Sequence, residues 1–505
     1  MDLLIALSPA IVMIALVIAT RKVVVSLAVG SVLAAIIFTA LEAGRIAPVD
    51  AVVYLWDALV AILTDFAWYM PILGFVVLIG GLTSLIAVIG GIRAFADWAV
   101  QKVKSPVAAK MLTWVLGLLI FIDDYFNALV IGEVSKPITD RYKVSRAKLA
   151  YIIDSTSAPV VILMPISTWG AYIIGILGGE FDSAGYDQTS AFGGFLSAIP
   201  YQFYPLSAVA LVVLTILFSI NMGPMKTFES KAASGDDISI MASDDLVEED
   251  PHASQHATHW ALIVPVILLV VTTVFLMFYA ASFELGEFMN QDITIPLFFA
   301  GVMAFLAALG FALYARANVP ALALASGKGM LEMIKSAVVI LILAWIVSGA
   351  IGDLEVGTMI GEYVDAWNIS ASFMPLALFF IAGGVAFATG TSWGAFALLL
   401  PIAVPVAMAT DPALMGAIVA SVLGGAVFGD HSSPVSDTTV LSSTGARSSV
   451  HAHFVSQLPY AFTAALISGA GYLMFALSGS LALSYVVLIA LLAGFVYVRK
   501  ERVTT

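Results

Sequence analysis

Five carboxylates stand where a carboxylate is costly. Asp123, Asp124, Asp154, Asp430 and Asp437 lie in or beside short polar interruptions of apolar sequence. An Asp at the centre of a bilayer costs about 2.5–3.5 kcal/mol on insertion scales, so each calls for a reason. Around them are Asn127, Ser155, Thr156, Ser157, Thr389, Thr391, Ser392, Ser432, Ser433, Thr438 and Thr439. Carboxylates, hydroxyls and unwound backbone carbonyls make an all-oxygen environment. That suits a hard cation such as Na⁺, for the reason that Ca²⁺ and Mg²⁺ take oxygen ligands. Asp124, Asp154 and Asp430 are the expected Na⁺ ligands. A desolvated carboxylate also holds a proton more readily, so the same Asp can take one when the cation leaves. A site for which Na⁺ and H⁺ compete is sufficient for antiport under alternating access.

Other readings compete residue by residue. A lone intramembrane Ser or Thr usually bonds back to its own helix. One of Asp123 and Asp124 can be a helix cap, and so can Asp437. His431 is either a pH-sensitive partner of Asp430 or a structural hydrogen-bonding group. Trp169 and Trp393, each next to a Gly, either seal a cavity or simply pack. His451 and His453 are expected at the interface, and His252, His256 and His259 in a polar loop. A hydrolase built on His431 with Ser432 or Ser433 is disfavoured, because adjacent residues rarely bring a base to its nucleophile. There is no GxxxxGK[ST] loop for ATP-driven transport. No enzyme and no cofactor is expected, only transported ions. A channel would share the ion chemistry but not the paired breaks.

The elements that must position these residues are membrane helices. Of 505 residues, 61% are hydrophobic and 11% charged, against roughly 25% charged in soluble domains. Leu3–Thr20, Val23–Leu41, Met70–Gly91, Trp260–Ala281, Ile293–Tyr314 and Leu481–Val498 approach or exceed the ~20 apolar residues that span a bilayer. The first is read as a retained helix, because Arg21 and Lys22 follow it and no basic stretch precedes it. The absence of Cys excludes disulfides and thiolate metal sites, and the net charge of −13 argues against nucleic acid. With the N-terminus outside and the C-terminus cytoplasmic, Arg45 alone of the 21 Lys and Arg residues lies outside.

That topology has a consequence. Lys110 and Lys136 fall on one side, so residues 111–135 must enter and return as a re-entrant hairpin, its tip near Phe121–Asn127. The next segment, 146–180, crosses but is broken at Asp154–Pro159. The second half repeats the plan upside down, with a hairpin at 371–409, tip near Ala388–Gly394, and a broken helix at 414–447 interrupted at Gly429–Pro434. Irregular backbone at membrane depth must be satisfied by protein or by a wet cavity. Paired interruptions in corresponding positions point to a transport site. The expected fold is an all-α polytopic membrane protein of two inverted repeats, 1–222 and 260–477. An acidic cytoplasmic linker at 223–259 joins them, and an extra transmembrane helix follows at 481–498.

Phe121-Ile-Asp-Asp-Tyr-Phe-Asn-Ala-Leu129 and Phe428-Gly-Asp-His-Ser-Ser-Pro-Val-Ser-Asp-Thr-Thr-Val-Leu-Ser-Ser-Thr-Gly445 resemble the signature stretches of NhaC-type Na⁺/H⁺ antiporters. The resemblance implies exchange of cytoplasmic Na⁺, with Li⁺ as a further candidate, for external H⁺ across a bacterial or archaeal cell membrane. It also implies kinship with transporters of paired re-entrant hairpins, which tend to be homodimers with an elevator-like mechanism. Some members look like exchangers of organic acids such as malate and lactate, and others like drug efflux proteins. Na⁺- or H⁺-coupled exchange of a small organic solute is therefore the alternative reading. Against an anionic cargo, the two interrupted polar regions contain no Lys or Arg; half-helix N-termini could hold its carboxylate instead.

Overall fold

The computed structural model describes residues 3–20, 22–92, 94–95, 103–240, 258–288, 290–356, 359 and 370–499. The acidic run Asp244–Asp250, with His252 and His256, lies outside the described residues. The described residues form helices joined by turns and loops; their only β-pairing is an isolated bridge between Ile240 and Ser448. Nine described helices are long and apolar enough to cross a membrane, and ten if the bent pair 191–201 and 203–217 counts as one span. The protein is a multi-pass membrane protein.

The first half begins with α1 (Leu3–Thr20), α2 (Val23–Ala43), α3 (Pro48–Thr64) and α4 (Tyr69–Ile89). Next comes a helix–break–helix unit, α5 (Pro106–Leu119) and α6 (Asp124–Arg141). An interrupted element follows: α7 (Arg146–Asp154), a single turn α8 (Ala158–Val161) and α9 (Thr168–Ala184). The interruption is longer than the sequence suggests. It has one gap at 155–157 and a second at 162–167. Ser167 caps α9 through Gly170 N, so the second gap is a true helix start rather than a kink. The half closes with α10 (Ala191–Ala198) and α11 (Phe203–Leu217), bent by 50°. A cap helix, α12 (Pro224–Ser234), opens the linker.

The second half has the same order of elements. It runs α13 (Trp260–Ala280), α14 (Thr294–Tyr314), α15 (Val319–Met333) and α16 (Val339–Asp353), the last entered through a π-helical turn at Ile334–Val338. The helix–break–helix unit is α17 (Met374–Thr389) and α18 (Ser392–Thr410). The interrupted element is α19 (Met415–His431) and α20 (Asp437–Ala446), and α21 (Val450–Ser478) closes the half. The additional helix is α22 (Leu481–Arg499).

Small residues set the closest packing. Gly425 and Gly429 are one helical turn apart on α19, and α17 lies directly against them. A methyl on Gly429 would stand 2.1 Å from the Gly383 carbonyl oxygen, and one on Gly425 would stand 2.2 Å from that of Phe379. In a membrane, where lipid is as apolar as Leu, such small-residue contacts let backbones approach and drive helix association. The contact fixes the helix whose next residue is Asp430. Gly132 on α6 and Gly445 on α20 do the same for the opposite partners, with a Gly132 methyl 2.4 Å from Gly445. Gly390, between α17 and α18, has φ +72°, and the Val435 carbonyl stands 2.6 Å from where its Cβ would be. Both the left-handed backbone and the space demand glycine there.

Candidate functional site

The four interruptions meet. At the first hairpin break, Asp123 is the N-cap of α6 and accepts from Phe126 N at 2.9 Å. Its second oxygen accepts from Thr168 Oγ1 at 2.9 Å, across the second gap of the interrupted element. The Thr168 N–H also donates to the Ile122 carbonyl at 2.8 Å. Asn127 donates to the carbonyls of Gly117, Ile120 and Thr156 at 3.0, 2.6 and 3.3 Å. Ser157 Oγ donates to the Asp124 carbonyl at 2.7 Å. Carbonyls freed at the breaks are thus satisfied by side chains of the neighbouring break, as backbone away from water requires.

In this frame Asn127 Oδ1 and one oxygen of Asp124 are left without a hydrogen-bond partner. One Asp124 carboxylate oxygen accepts from Trp169 Nε1 at 2.9 Å, while the other is buried without a protein hydrogen-bond partner. The residue is 1% exposed. It lines a small cavity of about 60 Å³ together with Asp123, Tyr125, Met333, Ile340, Thr391, Trp393 and Asp437. Residues at the breaks of both helix–break–helix units and at the second interrupted element contribute to that wall. Trp169 and Trp393 meet edge to face at 5.6 Å between centroids, and Tyr172 O–H donates to the Trp393 carbonyl at 3.1 Å. Trp393 lines the cavity, and Trp169 packs on it while donating to Asp124.

Asp154 is the last residue and Asp430 the last but one of the first helix of its interrupted element, but their surroundings differ. Asp154 accepts from Gln457 Nε2 at 2.6 Å, faces His453 Nε2 at 3.1 Å and accepts from Ser442 Oγ at 3.3 Å. Asp430 is held by hydroxyls alone, Ser392 Oγ at 2.7 Å and Ser436 Oγ. His431 connects the two. Its ring lies between Ser155 Oγ at 3.0 Å and Tyr204 O–H at 2.7 Å, and its carbonyl accepts from Gln457 at 2.7 Å. Gln457 therefore bridges the break carrying Asp430 to the carboxylate of the other.

The remaining sequence candidates divide. Thr156, Thr389 and Ser432 bond back to their own helices, at Ile152, Ala386 and Phe428 respectively. Ser433 donates to the Phe387 carbonyl at 2.8 Å and braces the hairpin against the break. Thr438 bonds to Ser436, the N-cap of α20. Asp437 is the first residue of α20 rather than its cap, and it accepts from Tyr125 O–H at 3.2 Å. Thr391 contributes to the cavity wall.

One expectation is corrected. His453 is not interfacial: it is fully buried and lies against Asp154. The reason is that one face of α21, carrying Ala452, His453, Ser456 and Gln457, is buried from its first turn. Gln457, Ser442, Thr168 and Ser436 were likewise not singled out. A signal existed for two of them: His453, Gln457 and Tyr460 recur at helical spacing on one face of an apolar helix, which is where an interior polar stripe belongs.

A model of the Na⁺/H⁺ antiporter family matches residues 160–477. A Haemophilus influenzae protein described as uncharacterized is 36% identical over 480 residues, covering 92% of this chain and 89% of its own. A second H. influenzae protein, described as an uncharacterized Na⁺/H⁺ antiporter, is 28% identical over 136 residues, 25% of this chain and 29% of its own. In fold, the chain is similar to the Alcanivorax borkumensis YdaH transporter, whose crystal structure is described as having an unusual topology. That likeness has a TM-score of 0.58 at 14% identity, over 88% of this chain and 89% of that one.

Proposed function

Because the chain belongs to the Na⁺/H⁺ antiporter family, and so is a transporter of that kind rather than an enzyme, we propose that it exchanges Na⁺ or Li⁺ for H⁺ by alternating access. The carrying observation is the half-satisfied carboxylate of Asp124, buried where both hairpin tips and the second break share a cavity wall. An ionised carboxylate out of water demands a counter-charge, and no described Lys or Arg lines that cavity. A cation or a proton supplies it, and the two exclude one another.

Asp430 is suited to the same exchange. A hydroxyl can donate to the carboxylate or turn its lone pairs toward a cation. Ser392 and Ser436 can therefore change roles as the ion arrives, without moving backbone. Asp154 receives an amide N–H₂, which has no lone pair to offer a cation. Its role in this reading is to hold His453 and Gln457, and through Gln457 the break that carries Asp430. Movement of the hairpins and broken helices as one body, the pairing of two such chains as a homodimer, and placement in a bacterial or archaeal cell membrane belong to the same proposal.

A second reading has its own observation. A cavity of about 620 Å³ opens onto Asp123, Tyr125 and Asp437 between α4, α6, α15 and α20. That is the size of small-molecule sites, and its lining holds three carboxylates and no basic side chain. It favours an organic cation, as in drug efflux, over an organic acid. Reconstitution in proteoliposomes with an imposed pH gradient separates the readings. Antiport predicts that Na⁺ and Li⁺ alone dissipate the gradient; dissipation that needs an added organic solute overturns it.

A further inference from the structure

Far from these breaks, another carboxylate is buried without help. Glu180 lies on α9 twelve residues beyond Thr168, about 18 Å along the helix at 1.5 Å per residue. It is 1% exposed, and neither carboxylate oxygen has a hydrogen-bond partner. Ser348 on α16 stands beside it, and its own buried hydroxyl is also unpartnered. Its neighbours are Ser348 on α16 and Tyr69 on α4, both uncharged; the acidic groups Asp65 and Asp182 stand on the far side, around Tyr69. No ion pair is formed by Glu180 among the described residues. Buried polar groups left unpaired in threes are rare, and an isolated charge there is far costlier than a neutral carboxyl.

The packing around it is tight and aromatic. Trp345 of α16 donates to the Gly175 carbonyl at 2.8 Å and covers Gly179, while Tyr69 packs on Trp345 at 4.5 Å. A cavity lies along the same helix. The residues flanking Glu180 on α9, Gly178, Phe181 and Asp182, line a polar cavity of about 210 Å³ with Trp68, Asn290, Gln291 and Asp292.

We propose that Glu180 is a second proton-binding site of the exchanger, loaded from this polar cavity and separate from the carboxylates at the breaks. The contact of α9 with α16 closes only over the neutral carboxyl, so the proton binds in step with the packing of the interrupted element. The inference rests on proton exchange as proposed above.

The test uses the full chain in proteoliposomes and two readouts, Na⁺-driven proton movement and ²²Na⁺/Na⁺ exchange, for wild type, Glu180→Gln and Glu180→Asp. In Glu180→Gln, proton movement is expected to fall at least tenfold while ²²Na⁺/Na⁺ exchange stays within twofold, and Glu180→Asp should restore part of the proton movement. Equal proton movement in wild type and Glu180→Gln overturns the inference, and so does loss of both activities in a variant that elutes and melts like wild type. If Glu180→Gln does not fold, Ser348→Ala, which leaves the carboxyl in place, must shift the pH profile of wild-type exchange; an unshifted profile also overturns it. Wild type that moves Na⁺ but no protons would instead refute the antiport reading itself.

Discussion

The two halves use the same order of elements and load them differently. The tip of the first hairpin carries Asp123, Asp124 and Asn127; the tip of the second carries Thr389, Gly390, Thr391 and Ser392, without a charge. At its break the first interrupted element carries a carboxylate saturated by an amide, an imidazole and a hydroxyl, the second one held by hydroxyls. Carboxylates at the corresponding breaks of the two halves therefore have different surroundings. The number and kind of donors already on a carboxylate decide whether it can still serve a cation, and on that criterion Asp124 and Asp430 are open while Asp154 is committed.

The largest effect expected from breaking this asymmetry is at the open carboxylates. Asp124→Asn and Asp430→Asn should each reduce Na⁺-driven proton movement at least 100-fold, with thermal stability in detergent near wild type, because each removes a charge that had no fixed counter-charge. Asp154→Asn should also impair exchange, but it should lower stability as well. Removing one member of a buried charged network costs about 3–5 kcal/mol. Equal stability loss in all three variants would erase the distinction between open and committed sites.

Packing should rank next. Gly429→Val places methyl groups where the Gly383 carbonyl and Phe387 N–H already sit. Overpacking typically costs about 1–3 kcal/mol, and here it also displaces Asp430. A lowered melting temperature together with weakened Na⁺ affinity is expected; a change in affinity without a change in stability would argue against the packing account. Gln457→Leu should be intermediate. It cuts the bridge between the two interrupted elements, so Na⁺ affinity should drop several-fold although the substituted residue touches no cation.

The smallest effects belong to the hydroxyls that bond back to their own helices. Thr389→Val and Ser432→Ala should change exchange by less than about twofold, since a back-bonded hydroxyl contributes little. A tenfold loss in either would show that these hydroxyls rotate into the site during transport.

Much of this was legible in the sequence, and the reasons are physical. Charge placement and hydrophobic length located both helix–break–helix units, because Lys, Arg and Asp are costly at membrane depth and leave an unmistakable pattern. The Asp-Asp pair and the Gly-Asp-His-Ser-Ser-Pro stretch marked the breaks, since only functional or capped carboxylates persist there. The second gap at 162–167 escaped because Leu163-Met-Pro-Ile166 is apolar and only its Pro is a breaker. Partner choice escaped more widely. That His453 and Gln457 face Asp154 depends on how α21 crosses α7, a long-range packing that no local pattern encodes. Glu180 is a related case: its burial follows from Trp345 and Tyr69 on other helices, so the sequence offers only a Glu near a helix end.

The central claim is that a carboxylate left open at the meeting of the two hairpins binds Na⁺ and H⁺ in competition. The most direct measurement is Na⁺ binding to purified wild-type and Asp124→Asn protein by calorimetry at several pH values. The account predicts apparent Na⁺ affinity in wild type that falls as pH falls, with protons released on binding, and no measurable binding in Asp124→Asn. Na⁺ binding independent of pH, or binding retained in Asp124→Asn with wild-type affinity and proton release, would contradict it.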